Sequence, residues 1–225
     1  MRKLIRKMIR ELSKPKFTRF RNLKLFEWMN EHACGKKVLN LGSGVRQFDH
    51  YLSKDIRTID FDIDPCKTGL DVAGDAHLLP FKSESFDVVY TIAVLEHVKR
   101  PWVVADEIHR ILRPSGYLVM ELPFLNIIHN EEDYFRFTDK GIKSLFGQDK
   151  FEVVFEQVGS GGGSFISVFL YTYLRQFIPT HILKVTWDVF MRYFFYLFKY
   201  ADVLIDRSET MRLTANSFSY IGRKR

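Results

Sequence analysis

The stretch Val38-Leu39-Asn40-Leu41-Gly42-Ser43-Gly44 constrains this chain more than any other. Three of its first four residues are apolar, which suits a short buried strand, and the two glycines end that strand abruptly. Without a Cβ, glycine lets the backbone turn tightly and lets a ligand approach it closely. A second apolar run follows and ends in acid: Ile56-Arg57-Thr58-Ile59-Asp60-Phe61-Asp62-Ile63-Asp64-Pro65. A glycine turn after one strand and a carboxylate after the next is how an α/β sheet holds a nucleoside. The turn admits the polar tail and the carboxylate accepts hydrogen bonds from the ribose. Asp60, Asp62 and Asp64 alternate, but Pro65 and the missing downstream Glu argue against a calcium loop, so no metal is expected.

Further along, Gln47–Ser53 is expected as a short helix and the second strand ends near Asp62. Asp75 falls in a loop, where a short acid either accepts from an exocyclic amine or caps a plain turn. Ser85–Thr91 reads as a buried strand, Pro101–Leu112 as an amphipathic helix and Tyr117–Leu122 as another buried strand. Strands alternating with helices call for a mostly parallel sheet with right-handed crossovers. Ligands in such sheets bind beyond the strand C-termini, where Gly42–Gly44, Asp62, Asp75 and Thr91 all fall. Phe151–Val158 alternates like a strand, Gly159–Gly163 reads as a flexible loop, and Asn216–Gly222 reads as a last strand.

Charge is unevenly placed. The chain carries a net +7, yet residues 1–24 hold ten of its 34 Lys and Arg against one acid, Glu11, so the basicity belongs to this arm. Leu4, Ile5, Met8, Ile9 and Leu12 recur at helical spacing between the basic residues, and Phe20–His32 continue as a second helix whose end Gly35 marks. Two readings of the arm stand: a helix on an anionic membrane surface, with nucleic acid less favoured, or a solvated face on a helix packed against the domain. Two cysteines, Cys34 and Cys66, offer neither a disulfide framework nor metal-ligand spacing, which favours a reducing compartment. No secretory leader and no long uncharged apolar run are evident, so the expected location is the cytoplasm, with peripheral attachment to the inner membrane face.

An aromatic-rich insertion runs over about 165–207 and is broken at Pro179. On a helical wheel Lys184, Asp188, Arg192, Lys199, Asp202 and Asp206 share one narrow arc, and the rest is apolar. That surface suits packing on the fold or in a homodimer, contact with a membrane, or a roof over a lipid-linked acceptor.

Residues 37–156 resemble the class I S-adenosylmethionine-dependent methyltransferases of type 11. The blocks that carry the resemblance are Gly74-Asp75-Ala76 with Leu79-Pro80-Phe81, Ser85-Phe86-Asp87-Val88-Val89, Leu95-Glu96-His97-Val98, and Arg110-Ile111-Leu112-Arg113-Pro114-Ser115-Gly116. The resemblance implies a Rossmann-like sheet of seven mostly parallel strands, the seventh antiparallel, with helices on both faces. To this the chain adds its C-terminal helical insertion, within a methyltransferase domain over 35–225 that follows the N-terminal helices of 1–34. S-adenosylmethionine is the implied cofactor. Gly42, Ser43 and Gly44 would line its methionine part, Asp62 would hold the ribose, Asp75 and Ala76 the adenine, and Thr91 with Ile92 would floor the site. Asn40 stands where the family usually has an acid and would accept from the cofactor's ammonium without a charge. Arg46 stands where a third glycine is often found.

The segment Pro123–Thr138 resembles the loop after the fifth strand in methyltransferases of cell-surface sugar and lipid-linked glycan synthesis. Methyl transfer is an in-line displacement, and a hydroxyl nucleophile gains from a base. His129 is the first candidate and His97 the second, although in the resembled family His97 also orders its loop. Asp133 and Arg136 are candidates for gripping an acidic acceptor, or for tying down their own loop. The expected activity is O-methylation of a saccharide or lipid-linked glycan at the membrane surface. The alternatives are a quinone or small-lipid methyltransferase, and a degenerate scaffold that binds a membrane or partner. Amine methylation of nucleic acid is disfavoured, because Thr91-Ile92-Ala93-Val94 stands where an Asn-Pro-Pro-Tyr-like motif would be needed.

Overall fold

The computed structural model describes residues 23–44, 48–66, 69–178 and 209–225, together with Phe190, Phe194 and Asp202. The basic arm up to residue 22, Arg46 and most of the aromatic insertion lie outside the described residues. The chain divides into two compact units. One holds the described residues up to Phe124 with 128–159 and 217–225; the other holds 125–127 and the described part of 160–216.

The first unit is built on one sheet. Its strands are β1 (Val38–Leu41), β2 (Thr58–Asp62), β3 (Val72–Ala73), β4 (Phe86–Ile92), β5 (Leu112–Pro123), β6 (Phe151–Ser160) and β7 (Ser217–Lys224). They lie in the order β3-β2-β1-β4-β5-β7-β6. Neighbours from β3 to β5 pair parallel and β7 runs antiparallel to β5, with Leu118 opposite Gly222 and Glu121 opposite Ser219. All four residues of β1 are buried, as a central parallel strand covered on both faces requires. On one face helix α1 (Leu23–His32) sets Leu25 and Met29 against Val38, Val88, Tyr90, Val119 and Ile221. Tyr220 points the other way, as a strand neighbour must, and stacks on Phe146 of α3 (Asp139–Phe146) at 6.4 Å between ring centroids. Phe146 in turn meets Phe151, against which His109 of α2 (Pro101–Ile111) also packs.

Local chemistry sets the helix ends. Pro101 opens α2, where its missing N–H costs nothing, and Val104, Ile108 and Ile111 form its fully buried stripe. The Thr138 hydroxyl caps α3 by accepting from the Gly141 N–H at 2.9 Å. From the other side of α2, Glu107 accepts from the Leu79 N–H at 2.8 Å and pairs with Arg110, which donates to the carbonyls of Leu79 (3.0 Å) and Phe81 (2.8 Å). This fork holds the loop before β4, and the Arg110 hydrogen bond keeps the Glu107 carboxyl below the usual glutamate range.

Three expectations change. Of the short helix expected over Gln47–Ser53, the described residues 48–53 hold a single 3₁₀ turn at Asp49–Tyr51, and Gln47 lies outside the described residues. The loop expected at Gly159–Gly163 is ordered: Gly159 and Ser160 complete β6, and Gly162 already begins α4 (Gly162–Arg175) in the second unit. Asp202, expected on a polar stripe, is buried. Its carboxylate accepts from the Gly163 N–H (2.7 Å), the Ser164 N–H (3.2 Å) and the Ser164 hydroxyl (3.1 Å), closing the first turn of α4 from far along the chain. Beyond that turn Phe165, Phe169, Tyr173 and Phe177 form a ladder of rings 5.4 to 5.9 Å apart. Among the described residues no helix is long and apolar enough to cross a membrane.

Candidate active site

The site grows from the C-terminal rim of the sheet. Leaving β1, the chain enters the left-handed region at Gly42 (φ +73°) and again at Gly44 (φ +56°). The N–H groups of Gly42 and Ser43 both donate to the Phe61 carbonyl, at 2.8 and 3.0 Å. The Gly44 N–H donates to Asp62 Oδ2 at 2.8 Å, while Asp62 Oδ1 accepts from the Asp64 N–H at 3.1 Å. The carboxylate at the end of β2 therefore fixes the glycine turn after β1. At Gly42 a Cβ would lie 2.3 Å from Val94 Cγ2, whereas at Gly44 its nearest neighbour would be the Gly42 carbonyl at 4.0 Å.

Next to this turn, Asp75 Oδ1 accepts from the His77 N–H at 2.9 Å and faces His77 Nδ1 at 2.5 Å. That backbone donor is the main reason the Asp75 carboxyl stays below its ordinary value. His77 Nε2 accepts from the Arg100 N–H at 3.2 Å, so its proton sits on Nδ1.

The opposite wall follows β4. Ala93 holds φ +56°, a conformation that costs energy outside glycine, and its N–H donates to the Glu121 carbonyl at 3.0 Å. A 3₁₀ turn at Leu95–His97 then buries Glu96 completely, and among the described residues no other residue donates a hydrogen bond to either carboxylate oxygen. Desolvation, outweighing its own backbone N–H and the pull of Arg136, pushes the Glu96 carboxyl up to about 8. His97 Nδ1 lies 2.5 Å from the Glu132 carbonyl and its Nε2 lies 3.8 Å from Glu96 Oε1. His129 meets His97 edge to face, with ring centroids 4.9 Å apart, and its Nδ1 is 3.3 Å from Asp133 Oδ2. Asp133 is also clamped by both terminal nitrogens of Arg136, whose hydrogen bonds outweigh burial and hold the Asp133 carboxyl at about 2.

These walls enclose a cavity of about 570 Å³, within the range of small-molecule sites. Its lining includes Gly42, Ser43, Gly44, Asp62, Asp75, Ala76, His97 and His129. Four residues singled out from the sequence stand outside the lining. Asn40 lies in register with Asp60 on the neighbouring strand, and its buried side-chain amide donates to Asp60 Oδ1 at 2.7 Å. Thr91 points to the opposite face of the sheet from the floor residue Ile92 and is fully buried. Asp133 and Arg136 bind each other and brace the loop that carries His129. Conversely, His77, Val94 and Tyr134 line the cavity without having been marked. Only the neighbouring Asp75 and Leu95-Glu96-His97-Val98 blocks hinted at the first two.

Residues 39–120 match the family described as a methyltransferase domain. An uncharacterized methyltransferase of Mycobacterium avium (strain 104) is 30% identical over 102 residues, 40% of each chain. A protein of Mycobacterium ulcerans (strain Agy99), named a probable phthiotriol/phenolphthiotriol dimycocerosates methyltransferase 2, is 36% identical over 97 residues, 37% of this chain and 38% of that one. The chain thus spans about 40% of the length of the first of these relatives and a little less of the second. The solved S-adenosylmethionine-dependent methyltransferase of Mesorhizobium loti shares the fold at a TM-score of 0.55 and 13% identity, over 90% of this chain and 97% of that one.

Proposed function

We propose that this chain, whose residues 39–120 match a methyltransferase domain, is a class I S-adenosylmethionine-dependent methyltransferase that methylates a hydroxyl of a saccharide or lipid-linked glycan. One observation carries the reading. A single cavity joins a glycine turn and two sheet-edge carboxylates on one side to a pair of imidazoles on the other. The cofactor fits what is present, since a Cβ at Gly44 would meet nothing nearer than the Gly42 carbonyl at 4.0 Å, which leaves room beside the turn. Among the residues that line the cavity, Asp62 would accept from ribose hydroxyls, Asp75 and Ala76 would meet the adenine, and Gly42–Gly44 would meet the amino-acid part. When bound, S-adenosylmethionine supplies a methyl group on a positively charged sulfur.

The remaining chemistry belongs to the protein's own groups. With His97 Nδ1 committed to the Glu132 carbonyl, Nε2 keeps the lone pair and can receive a proton. Asp133 does the same for His129, and Arg136 keeps Asp133 in place. Tyr134, 43% exposed at the cavity wall, offers a ring face to a sugar. The basic arm over 1–24 would hold the enzyme against anionic lipid. A free lipid polyol is the second reading, favoured by the M. ulcerans relative whose name specifies a triol.

Titration calorimetry with S-adenosylmethionine, comparing the wild type with Asp62→Ala, tests the cofactor half of the proposal. Binding that weakens at least ~10-fold in the variant supports it, at the order of one charge-assisted hydrogen bond lost. A folded protein that binds no cofactor at millimolar concentration overturns it in favour of a scaffold. Transfer of labelled methyl to lipid-linked glycans, against free lipid polyols, then separates the two acceptor classes.

A further inference from the structure

We propose that Glu96, His97 and His129 form a site for a divalent transition-metal ion at the acceptor end of the cavity. One donor atom from each residue lies within 4.8 Å of the other two, and Glu96 Oε1 is 3.8 Å from His97 Nε2. Zinc-type bonds of ~2.0–2.2 Å put adjacent donors about 3 Å apart, so the side chains need close in by no more than about 2 Å to share an ion.

Two independent features point to a cation. The first is the Glu96 carboxylate, fully buried, with its own backbone N–H as its hydrogen-bond donor and no donor from another residue among those described. A buried carboxylate in that condition is costly, and a bound cation would satisfy it. The second is the way both imidazoles are held. His97 Nδ1 faces the Glu132 carbonyl at 2.5 Å and His129 Nδ1 faces Asp133 at 3.3 Å, with Arg136 behind Asp133. The oxygen beside each Nδ1 favours the tautomer with its proton there and its lone pair on Nε2, the outer-shell pattern of metal-binding histidines.

Two imidazoles and one carboxylate suit zinc and its first-row neighbours, and three protein ligands leave coordination positions open. His97 and His129 both border the cavity, which gives a ligand entering it access to such an ion, while Glu96 lies behind the lining. Resting on the methyltransferase reading, an acceptor hydroxyl in an open position would ionise more readily and release its proton to solvent, the imidazoles then holding the metal and not the proton.

The test uses the full chain stripped with a chelator and titrated with Co²⁺, read by its visible d–d absorption, with Zn²⁺ calorimetry in parallel. One equivalent is expected to bind, Glu96→Gln and His129→Ala are each expected to weaken binding at least ~10-fold, and His32→Ala is expected to change nothing. His32 stacks on Trp28 away from the cavity. A folded wild type with no d–d band at millimolar Co²⁺ overturns the site, as does Glu96→Gln binding like the wild type. Calorimetry with S-adenosylmethionine on the metal-free protein reports separately on the methyltransferase reading.

Discussion

Gly42→Ala should be among the most damaging one-carbon changes in this protein, for two separable reasons. Placing a Cβ at φ +73° costs ~1–2 kcal/mol on backbone grounds alone. The same Cβ would stand 2.3 Å from Val94 Cγ2 and 3.1 Å from Cγ1, an overpacking that adds ~1–3 kcal/mol. The total of about 2–5 kcal/mol corresponds to a melting-point loss of roughly 4–20 °C, at the ~2–4 °C per kcal/mol of a domain this size. Val94→Ala alone removes two methyl carbons from a half-buried side chain and should cost about 1 kcal/mol. In the double variant the contacts at 2.3 and 3.1 Å are gone and a tight 3.3 Å approach to the Cβ of residue 94 remains beside the backbone part, so a thermal-denaturation cycle should show about 1–3 kcal/mol of favourable coupling. Val94 also borders the cavity, so Gly42→Ala should weaken S-adenosylmethionine binding and the second change should restore part of it. A Gly42→Ala protein within about 0.5 kcal/mol of the wild type, or a cycle with no coupling, would refute the steric account of the turn.

Arg136→Met should destabilise by about 3 kcal/mol in denaturant unfolding, because it strands the buried Asp133 carboxylate. Arg136→Met with Asp133→Asn should recover most of that loss, and a single variant as stable as the wild type would show the pair to be ornamental. Glu107 supplies a pH signature. Its folded carboxyl titrates below the ordinary 4.5, so its contribution is complete above that value and fades as pH falls through the lower, folded one. Unfolding measured from pH 7 to 3 should therefore show a shallower acid loss in Glu107→Gln than in the wild type.

Much of this molecule could be read from pattern because its central strands are short apolar runs with glycine, proline or acid at their ends. The first, second and fourth strands, α2 and the antiparallel last strand all lie near their expected places. What pattern missed depends on partners distant in sequence. Asn40 is drawn to Asp60 by strand register, a relation invisible until β1 and β2 are aligned. Thr91 and Ile92 were expected together at the floor, but the alternation of a strand admits only one of two adjacent residues. The two-residue β3 is too short to show a period. The glycines after Val158 resembled a loop because glycine usually marks one. Here Gly159 is small for packing, since a Cβ would come within 2.6 Å of the Ser217 hydroxyl, and Asp202 closes the helix that follows. His97 and His129 were each noted singly, yet nothing in either segment reveals that their rings meet.

The insertion of β7 between β5 and β6 has a consequence for synthesis on the ribosome. When β6 emerges, the strand destined to be its neighbour has not been translated, and the whole of residues 161–216 must be made first. Until then β5 exposes an open edge and β6 has nowhere to pair, so the nascent sheet can close only from β3 through β5. The half that bears the glycine turn and both sheet-edge carboxylates is thus free to fold early, while the remaining two strands arrive together as a late and slow step.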